Sequence, residues 1–573
     1  LPAFVVAAGV EAPTSLELDW LLLGARVGMA DATGRALLLA TAILWSAASA
    51  FARTYVESSE HRGSFSFYFL LTAAANIGML LAADVVTFYV MFAVMTVAAY
   101  GVILHERTDE ARRAGRIYLG MAIVAEAALL AALWLIVGDR VDMPLADAPA
   151  ALANAAHRDA AIALLFVGFG VKAGVVPLHV WLPLAHPVAP APASAVLSGA
   201  LIKGGLLGWL RFLPLGVVAL PSHGAVWTAV GVVSIVYGAL VGALQKEPKT
   251  VLAYSSISQM GFMVVPLGVA LAVPASAGQA TLAIVLFAQQ HAIAKGALFL
   301  GTAVAPESGG RSRRAVMFGL VLSALAIAGG PLTSGALAKG AVKDVTEVTS
   351  HVSFLGWALA IGSIGSTLLM IRFLSEIAAH ERGDLERLTP RRALLAPWAL
   401  LVGVGVAYPV HAAIRLEVES RELLTAHALW SAAWPVLAGA VIAGAARVAV
   451  RRGRSLPAPP PGDVLEPLAR VAYDVRERAT LSRVRAVWKR LSRRSMVAVS
   501  KGLRAGRWLE LADVRMRELR TIGAIVLVLV VAASTTSWCG ATHEHGTRGA
   551  RPSELRRTDA KTVETAARAP RHG

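Results

Sequence analysis

The feature that most constrains the fold of this chain is a long succession of apolar runs. An α-helix needs about 20 apolar residues to cross the hydrocarbon of a bilayer, and many of these runs reach or approach that length. A helix satisfies its own backbone polar groups, whereas the strands of a membrane barrel would alternate in hydrophobicity, which these runs do not. The spans are placed, to within a few residues, at 35–54, 65–83, 85–104, 117–138, 160–181, 193–213, 225–244, 250–272, 278–304, 315–345, 353–375, 393–410, 429–450 and 521–538.

The sequence therefore predicts an all-α, polytopic membrane protein with about 14–15 transmembrane helices. Residues 1–10 are apolar and are interpreted as the remnant of an earlier span, because the chain starts at Leu1 without the basic region of a secretory signal. The composition agrees, since 56% of the residues are hydrophobic and only 16% are charged. Soluble proteins carry about a quarter charged residues.

Several functions are excluded by composition and motifs. The net charge of +17 arises mainly from Lys and Arg between the spans and in one late block, which is typical of cytoplasmic loops and not of nucleic-acid binding. Cys539 is the single cysteine, so the chain cannot build a disulfide framework or an iron–sulfur cluster by itself. Motifs of hydrolases, zinc proteases and nucleotide-binding enzymes are absent. No cofactor is expected in this chain.

The distribution of positive charge predicts the orientation. Four basic loops, at 105–116, 245–250, 306–314 and 380–392, fall on one side when the spans alternate across the membrane. The positive-inside rule makes this side cytoplasmic, and the loop at 139–159 on the other side is rich in aspartate. We expect a multi-pass protein of the bacterial inner membrane.

The late part of the chain differs in kind. Residues 451–520 begin with a proline-rich basic linker and continue as an arginine-dense stretch with recurring Leu, Val and Trp, which predicts an amphipathic helix on the cytoplasmic membrane surface. The alternative is a solvated basic loop. The predicted organisation is N-terminal helices (1–64), an ion-translocating core (65–345), C-terminal transmembrane helices (346–450), the basic surface segment (451–520), an anchor helix (521–538) and a disordered tail (539–573).

Ionisable residues inside the spans are the main functional signal, because each costs about 2.5–3.5 kcal/mol at the centre of a membrane helix. Lys172 lies in an apolar run, and burial disfavours the charged form of a lysine, so such a residue can exchange protons near neutral pH. Pro177 follows in the same run and should open the helix. His179, seven residues after Lys172, is predicted to share its helix face.

Other intramembrane charges form a set with Lys172. Each one alone is compatible with a snorkelling or structurally paired charge, but a chain of buried Lys, His and Glu is what a proton relay requires. Breaks near 174–177 and 329–331 also suit a transporter that is built from inverted repeats. The candidates for proton translocation are Lys172, Lys203, His291, Lys295, Lys339 and Glu126, and the secondary candidates are His179, Lys343 and Glu347.

Four motifs in a fixed order resemble one membrane-protein superfamily. They are GFGVKAGVVPLHVWLPLAHPVAPAPASAVLSGALIKGGLLGWLRF (168–212), QKEPKTVLAYSSISQMG (245–261), HAIAKGALFLGTA (291–303) and GGPLTSGALAKG (329–340). They are similar to the antiporter-like subunits of respiratory NADH:quinone oxidoreductase, of multisubunit Na+/H+ antiporters and of membrane-bound hydrogenases. The likeness runs from about residue 65 to 345.

The resemblance implies a role for each matching residue. Lys172 matches the lysine of the first broken helix, which changes protonation during pumping, and Lys203 matches the lysine that passes the proton laterally. His291 and Lys295 match the central relay. Lys339 matches the charged residue of the second broken helix, near the outlet. The surface segment with its anchor looks like the lateral arm of the distal subunit.

One position departs from the family pattern. The family places a glutamate in the span that contains Ala93, as the partner of the broken-helix lysine, and this chain has the alanine there. We hypothesise that Glu126, on the next span, takes the place of that carboxylate. The other interpretation is a subunit that no longer pumps by the usual mechanism.

The resemblance implies a proton-translocating subunit of a redox-driven pump, whose partners are other membrane subunits and peripheral redox subunits. The alternatives are a component of a multisubunit Na+/H+ antiporter, a membrane subunit that energises a soluble partner in ion-coupled uptake, and a scaffold with vestigial charges. The sequence does not distinguish H+ from Na+ or identify an electron donor.

Overall fold

The computed structural model describes residues 15–18, 24–28, 32–138, 140, 142–349, 352–379, 391–415 and 425–452. Within these residues the chain forms a bundle of long helices, and 11 of them are long and apolar enough to cross a membrane. The predicted remnant span 1–10, nearly all of the basic segment 451–520, the anchor 521–538 and the tail lie outside the described residues.

The first four long helices are α1 (Ala32–Tyr55), α2 (Arg62–Leu81), α3 (Val85–Ile103) and α4 (Asp109–Val137). Polar side chains mark where two of them begin. Asp84 accepts a hydrogen bond from the backbone N–H of Thr87 at the start of α3, and Thr108 accepts one from Ala111 at the start of α4. Helix α4 thus includes much of the predicted loop 105–116.

The next section contains the first helix break. Its elements are the short α5 (Ala148–Asn154), then α6 (Arg158–Ala173), α7 (Trp181–Val188), α8 (Ala191–Val196), a π-helical turn (Leu197–Leu201) and α9 (Ile202–Phe212). Helix α6 ends because Gly174 adopts a left-handed conformation with φ of +72°, and the peptide bond before Pro177 is cis. The predicted span 160–181 is therefore interrupted at the predicted break and is not one continuous helix.

The second break follows three membrane-length helices. The elements are α10 (Pro221–Ala243), α11 (Pro248–Ala272), α12 (Ala277–Val304), α13 (Gly310–Ala328) and α14 (Ser334–Thr346). Gly329, with φ of +83°, ends α13, and the Thr333 side chain caps α14. The predicted span 315–345 is thus also two half-helices.

Three further helices complete the described bundle: α15 (Val352–Ala379), α16 (Arg392–Arg415) and α17 (Ala426–Arg451). Their exposure differs sharply from that of the central helices. The apolar windows of α11 and α12 are 94% and 89% buried within the protein, whereas that of α17 is 11% buried. The centre of the bundle therefore lies around α11 and α12.

A short β-hairpin was not predicted from the sequence, which suggested only helices in residues 1–64. Strands β1 (Ser15–Leu18) and β2 (Ala25–Gly28) pair antiparallel, with Ser15 opposite Gly28. The backbone N–H of Arg26 donates to the Asp84 carboxylate at 2.9 Å, and Asp84 also forms a bridge with Pro144. The hairpin is thus held by residues that are distant in sequence, at the end of the bundle where α2 meets α3.

The basic loops lie together at the other end. Ser59, between α1 and α2, contacts His105 after α3 at 3.2 Å. Arg372 donates to the carbonyl of Gln245 at 2.7 Å, and Arg313 donates to Ala305 at 3.1 Å and to Ile377 at 3.4 Å. These contacts join the helix ends beside three of the four predicted cytoplasmic loops; most of the fourth, 380–392, lies outside the described residues.

Candidate functional site

Lys172 occupies the last turn of α6, directly before the first break, and is 4% exposed. Its ammonium donates to the Thr96 hydroxyl at 3.0 Å and to the Tyr118 hydroxyl at 3.2 Å. It also lies 5.6 Å from the centre of the Phe92 ring and 5.7 Å from that of Tyr118. A buried cation is therefore held by neutral oxygens and aromatic faces.

Glu126 lies beside this lysine without forming an ion pair with it. Both residues line a cavity of about 10 Å³, together with Thr96, Tyr118 and Trp181. Both carboxylate oxygens are buried and accept no hydrogen bond within the described part of the chain. The space is close to what one water molecule needs, so a water can connect the two groups.

Helix α3, which contains Ala93, presents no carboxylate to Lys172 at the place where the family has a glutamate. Phe92 and Thr96, on the same helix α3, present a ring and a hydroxyl to Lys172, where a carboxylate was expected from the family pattern. The nearest acidic group that shares a cavity with Lys172 comes from α4 instead. The role of Glu126 as a substitute stays a prediction, but the required proximity is present.

Lys203 and His291 form a direct hydrogen bond. The lysine nitrogen, in a side chain that is 7% exposed, lies 2.6 Å from Nδ1 of His291 and donates to the carbonyl of Ser198 at 2.6 Å. The Ser198 carbonyl belongs to the π-helical turn, in which the helical hydrogen-bond register is shifted. A charged Lys203 can only donate to Nδ1, and the proton of a neutral His291 is then on Nε2.

Lys295 lies one helical turn after His291 on α12, as the spacing predicted, and is fully buried. It donates to the carbonyl of Leu252 at 2.6 Å and to the Ser255 hydroxyl at 2.8 Å, both on α11. Its ammonium lies 5.9 Å from the Phe299 ring, and the imidazole of His186 stacks on that ring at 4.5 Å. Helix α7 thereby brings a second histidine close to Lys295.

Lys339 lies on α14, directly after the second break. It donates to the carbonyl of Ala328 at 2.8 Å, which is the last residue of α13, and its ammonium lies 4.8 Å from the Phe262 ring. The carbonyl end of a helix carries partial negative charge, so the end of α13 favours a cation at this place.

The secondary candidates are placed differently from what the sequence predicted or lie on the surface. The prediction that His179 shares a helix face with Lys172 is wrong, because α6 ends at Ala173 and His179 follows the break, where its ring packs against Tyr237 at 5.0 Å. Lys343 and Glu347 are exposed, on the side of α14 and just after its end.

The lysines of this site differ in pairing from the surface charges, and several polar atoms near them lack a hydrogen-bond partner. The described ion pairs lie at or near helix ends and in the hairpin, and none of them involves Lys172, Lys203, Lys295 or Lys339. Several buried polar atoms also lack a hydrogen-bond partner among the described residues; they include both nitrogens of His186, Nε2 of His291 and both amide atoms of Gln290. Such atoms in native proteins are usually satisfied by water.

The sequence analysis missed several residues of the site. Thr96 and Tyr118 carry no charge and gave no signal in apolar spans, although they bind Lys172. His186 was visible as a histidine within the quoted motif 168–212, and its intramembrane position was the available signal. The π-helical turn was not predicted from the sequence.

Comparison with known proteins places this site in a described family. The family model for the transmembrane region of NADH:quinone oxidoreductase and Mrp antiporters matches residues 82–368, half of the chain. This range contains Glu126, Lys172, Lys203, His291, Lys295 and Lys339.

The similar curated proteins have related names. The chain is 29% identical over 282 residues to hydrogenase-4 component B of Escherichia coli, covering 47% of this chain and 42% of that protein. It is 33% identical to a hydrogenase-4 component F homologue of Methylacidiphilum infernorum, over 43% of this chain and 53% of that protein. It is 35% identical to an NAD(P)H-quinone oxidoreductase chain 4 of Microcystis aeruginosa, over 36% of this chain and 38% of that protein. The matches thus span about half, or less, of each relative.

A solved structure shares the fold. A chain of the Mrp complex from a Dietzia species superimposes with a TM-score of 0.59 at 20% identity, covering 77% of this chain and 92% of that one. At this identity the likeness concerns the arrangement of helices and not the activity.

Proposed function

Because the chain belongs to the NADH:quinone oxidoreductase/Mrp antiporter transmembrane family, we propose that it is a proton-translocating, antiporter-like subunit of a redox-driven membrane complex. The protein is a multi-pass membrane protein, and we place it in the bacterial cytoplasmic membrane with its basic loops inside.

The observation that supports the proposal most strongly is the set of basic residues at and between the two helix breaks, which are buried except for the half-buried Lys339. Lys172 precedes the first break, Lys339 follows the second, and the bonded pair Lys203–His291 lies with Lys295 in the most enclosed helices. Each group can bind or release a proton, and among the described residues none has a carboxylate partner within 4.0 Å that would keep it charged. Protons can therefore pass between these residues when their local fields change.

The chemistry of the set favours H+ over Na+. Ammonium and imidazole groups repel a metal cation, whereas hard cations are bound by oxygen ligands. The buried row in the described residues is basic except for Glu126, which shares its cavity with Lys172. A sodium path would need a separate cluster of oxygen ligands.

The proposed partners are other membrane subunits and peripheral redox subunits. Relatives of this chain carry the names of a hydrogenase component and of a quinone oxidoreductase chain, and the structural neighbour belongs to a multisubunit complex. The chain itself contributes no redox centre in this proposal, so the driving reaction takes place in a partner. Conformational or electrostatic changes then reach the basic residues through the membrane arm.

The experiment that tests the proposal compares two lysines of one helix. The tagged complex is purified from its host in mild detergent, its partners are identified by mass spectrometry, and proton uptake is measured in inverted vesicles energised with NADH or with hydrogen gas. Lys339→Ala should lower proton uptake about tenfold or more, as expected for the loss of a proton-transfer group. The matched control, Lys343→Ala, changes an exposed lysine on the same helix and should retain wild-type uptake.

Three results would overturn the proposal. Equal uptake in both variants would mean that Lys339 carries no protons. A sodium requirement, with only small hydrophobic partners in the purified complex, would indicate an antiporter instead. One large soluble partner without redox centres would indicate energised uptake.

A further inference from the structure

A second small cavity lies next to Lys203 and is separate from the one that Lys172 and Glu126 share. It has a volume of about 10 Å³ and is lined by α9, the π-helical turn, α12 and the N-terminal helices α1 and α2. Its polar lining residues are Lys203, Thr41 of α1 and Asn76 of α2, and the others are apolar or glycine. A cavity of about this size can hold one water molecule if two to four polar groups surround it.

Lys203 has a hydrogen-bond donor left for this cavity. An ammonium group carries three N–H groups. The Ser198 carbonyl and His291 accept two of them, and no acceptor for the third is found among the described residues. Burial at 7% exposure removes bulk water as a partner, so an acceptor inside the protein is required.

The orientation of Asn76 is set by Trp45. An indole N–H can only donate, so the Asn76 oxygen must be the atom that accepts from Trp45 Nε1 at 3.0 Å. The amide nitrogen is therefore on the other side, where it donates to the Met95 sulfur at 3.4 Å. Its second N–H remains for the cavity, and the side chain, 2% exposed, is locked in this position.

We propose that one water molecule binds in this cavity and that Asn76 and Thr41 position it against Lys203. The proposal rests on the proposed function, since it concerns how Lys203 changes protonation. When Lys203 is charged, the water oxygen accepts its third N–H and the N–H of Asn76, and the water donates to the Thr41 hydroxyl. When Lys203 is neutral, the same water turns and donates to the lone pair of the amine.

The water site can serve both the charged and the neutral state of Lys203, because Asn76 and Thr41 offer the water different hydrogen-bonding groups. The Asn76 N–H donates in either state, whereas the Thr41 hydroxyl can rotate between donating and accepting. The lysine nitrogen can then remain beside His291 while its proton count changes. Thr41, Trp45 and Asn76 all precede residue 82, so they lie outside the range matched by the family model. The N-terminal helices thereby serve as positioning elements for the central relay.

The test uses two variants and one matched control in the purified complex. Thr41→Val and Asn76→Leu remove the polar groups at nearly constant volume. Thr72→Val is the control, because Thr72 is buried on the same helix as Asn76 but its hydroxyl donates to the carbonyl of Tyr68. We expect electron-microscopy density for a water in the wild-type cavity and its loss in both variants. Proton uptake should fall about tenfold, as for the loss of one hydrogen bond, while Thr72→Val is unaffected.

The outcomes separate this inference from the proposed function. Wild-type uptake in Thr41→Val and Asn76→Leu, or an unoccupied cavity in the wild type at a resolution that shows other buried waters, would overturn the inference. If Lys203→Ala also transports normally, the proposed role of Lys203 fails instead. Should Asn76→Leu not assemble, Thr41→Val decides, because replacing this hydroxyl by a methyl group leaves the contacts of α2 intact.

Discussion

Buried ammonium groups with neutral hydrogen-bond partners are the most informative side chains of this protein. Lys172, Lys203 and Lys295 are buried and Lys339 is half-buried, and all four donate to or contact hydroxyl, carbonyl or imidazole groups. Lys172, Lys295 and Lys339 also lie near aromatic faces. A strong ion pair would stabilise the charged form permanently, whereas neutral partners solvate a cation without requiring it. This arrangement is what a residue needs if it must gain and lose a proton during each cycle.

Glu126 allows a direct test of whether Lys172 needs an acidic partner for proton transfer. Glu126→Gln removes the acidic group from the cavity that it shares with Lys172 and should lower proton uptake about tenfold or more, because a positioned proton acceptor is lost. Uptake is measured in energised inverted vesicles, at complex levels verified by immunoblotting. Wild-type uptake in this variant would show that Lys172 works without a carboxylate partner.

A second substitution tests the same prediction by restoring a carboxylate near Lys172. Ala93 precedes Thr96 by three positions on α3, so the two side chains are neighbours on the helix surface, and Thr96 accepts a hydrogen bond from Lys172. Ala93→Glu in the Glu126→Gln background should restore part of the uptake, since it returns a carboxylate to the neighbourhood of Lys172. A double variant as inactive as the single one would mean that the α4 position is specifically required.

The helix breaks and the π-helical turn place backbone carbonyls where the lysines need them. Ala328 at the end of α13 accepts from Lys339, and Ser198 in the π-helical turn accepts from Lys203. Glycines allow the half-helices to approach their neighbours. A Cβ on Gly205 of α9 would lie 2.7 Å from the backbone nitrogen of Ala173 at the end of α6. The positions of the lysines thus depend on close packing at the breaks.

Gly335 and Gly340, on the same helix α14, allow a matched test of this packing. A Cβ on Gly335 would overlap the backbone carbonyl oxygen of Ala326, whereas one on Gly340 would meet nothing within 4 Å. Gly335→Ala should therefore push α14 away from α13 and lower stability by about 1–3 kcal/mol, as overpacking does. Gly340→Ala should be neutral or slightly stabilising. Thermal unfolding of the purified complex measures both, and equal melting temperatures would contradict the predicted packing.

The whole bundle has two chemically distinct ends, which gives it an orientation. The basic loops gather at the end that contains Ser59, His105 and Gln245, and the hairpin and Asp84 lie at the other. A charge asymmetry of this kind sets the direction in which a polytopic protein inserts. The proposed proton path would therefore run in a protein whose two ends differ in charge.

Cysteine labelling tests this orientation, because Cys539 is the single cysteine of the chain. In a Cys539→Ser background, Ser58→Cys and Ala146→Cys place single thiols at exposed positions at opposite ends of the bundle. A membrane-impermeant maleimide should label Ala146→Cys in intact spheroplasts and Ser58→Cys only in inverted vesicles. The opposite pattern would reverse the assignment of the cytoplasmic side.

Much of this architecture is readable without coordinates, because hydrophobic length, glycine, proline and charge act locally. The spans, the breaks near 174–177 and 329–331, and the lysines at and between them were predicted on that basis. The breaks lie where they were predicted, whereas the predicted spans 160–181 and 315–345 are interrupted and α4 begins at Asp109, well before the predicted 117. The predicted span 521–538 lies outside the described residues. The clustering of the basic loops also follows from alternating the spans. These features need only the few residues around each position.

The contacts between elements required the folded bundle. Lys203 and His291 are 88 residues apart, and Lys172 and Thr96 are 76 apart, so their bonds depend on how each helix is rotated and packed. The hairpin likewise depends on a distant residue, because Arg26 donates to the Asp84 carboxylate. His179 does not share a helix face with Lys172, because α6 ends at Ala173, before His179. Hydropathy specifies that a helix spans the membrane but not which face meets which neighbour. Packing between distant segments makes that choice, and with it the geometry of the site.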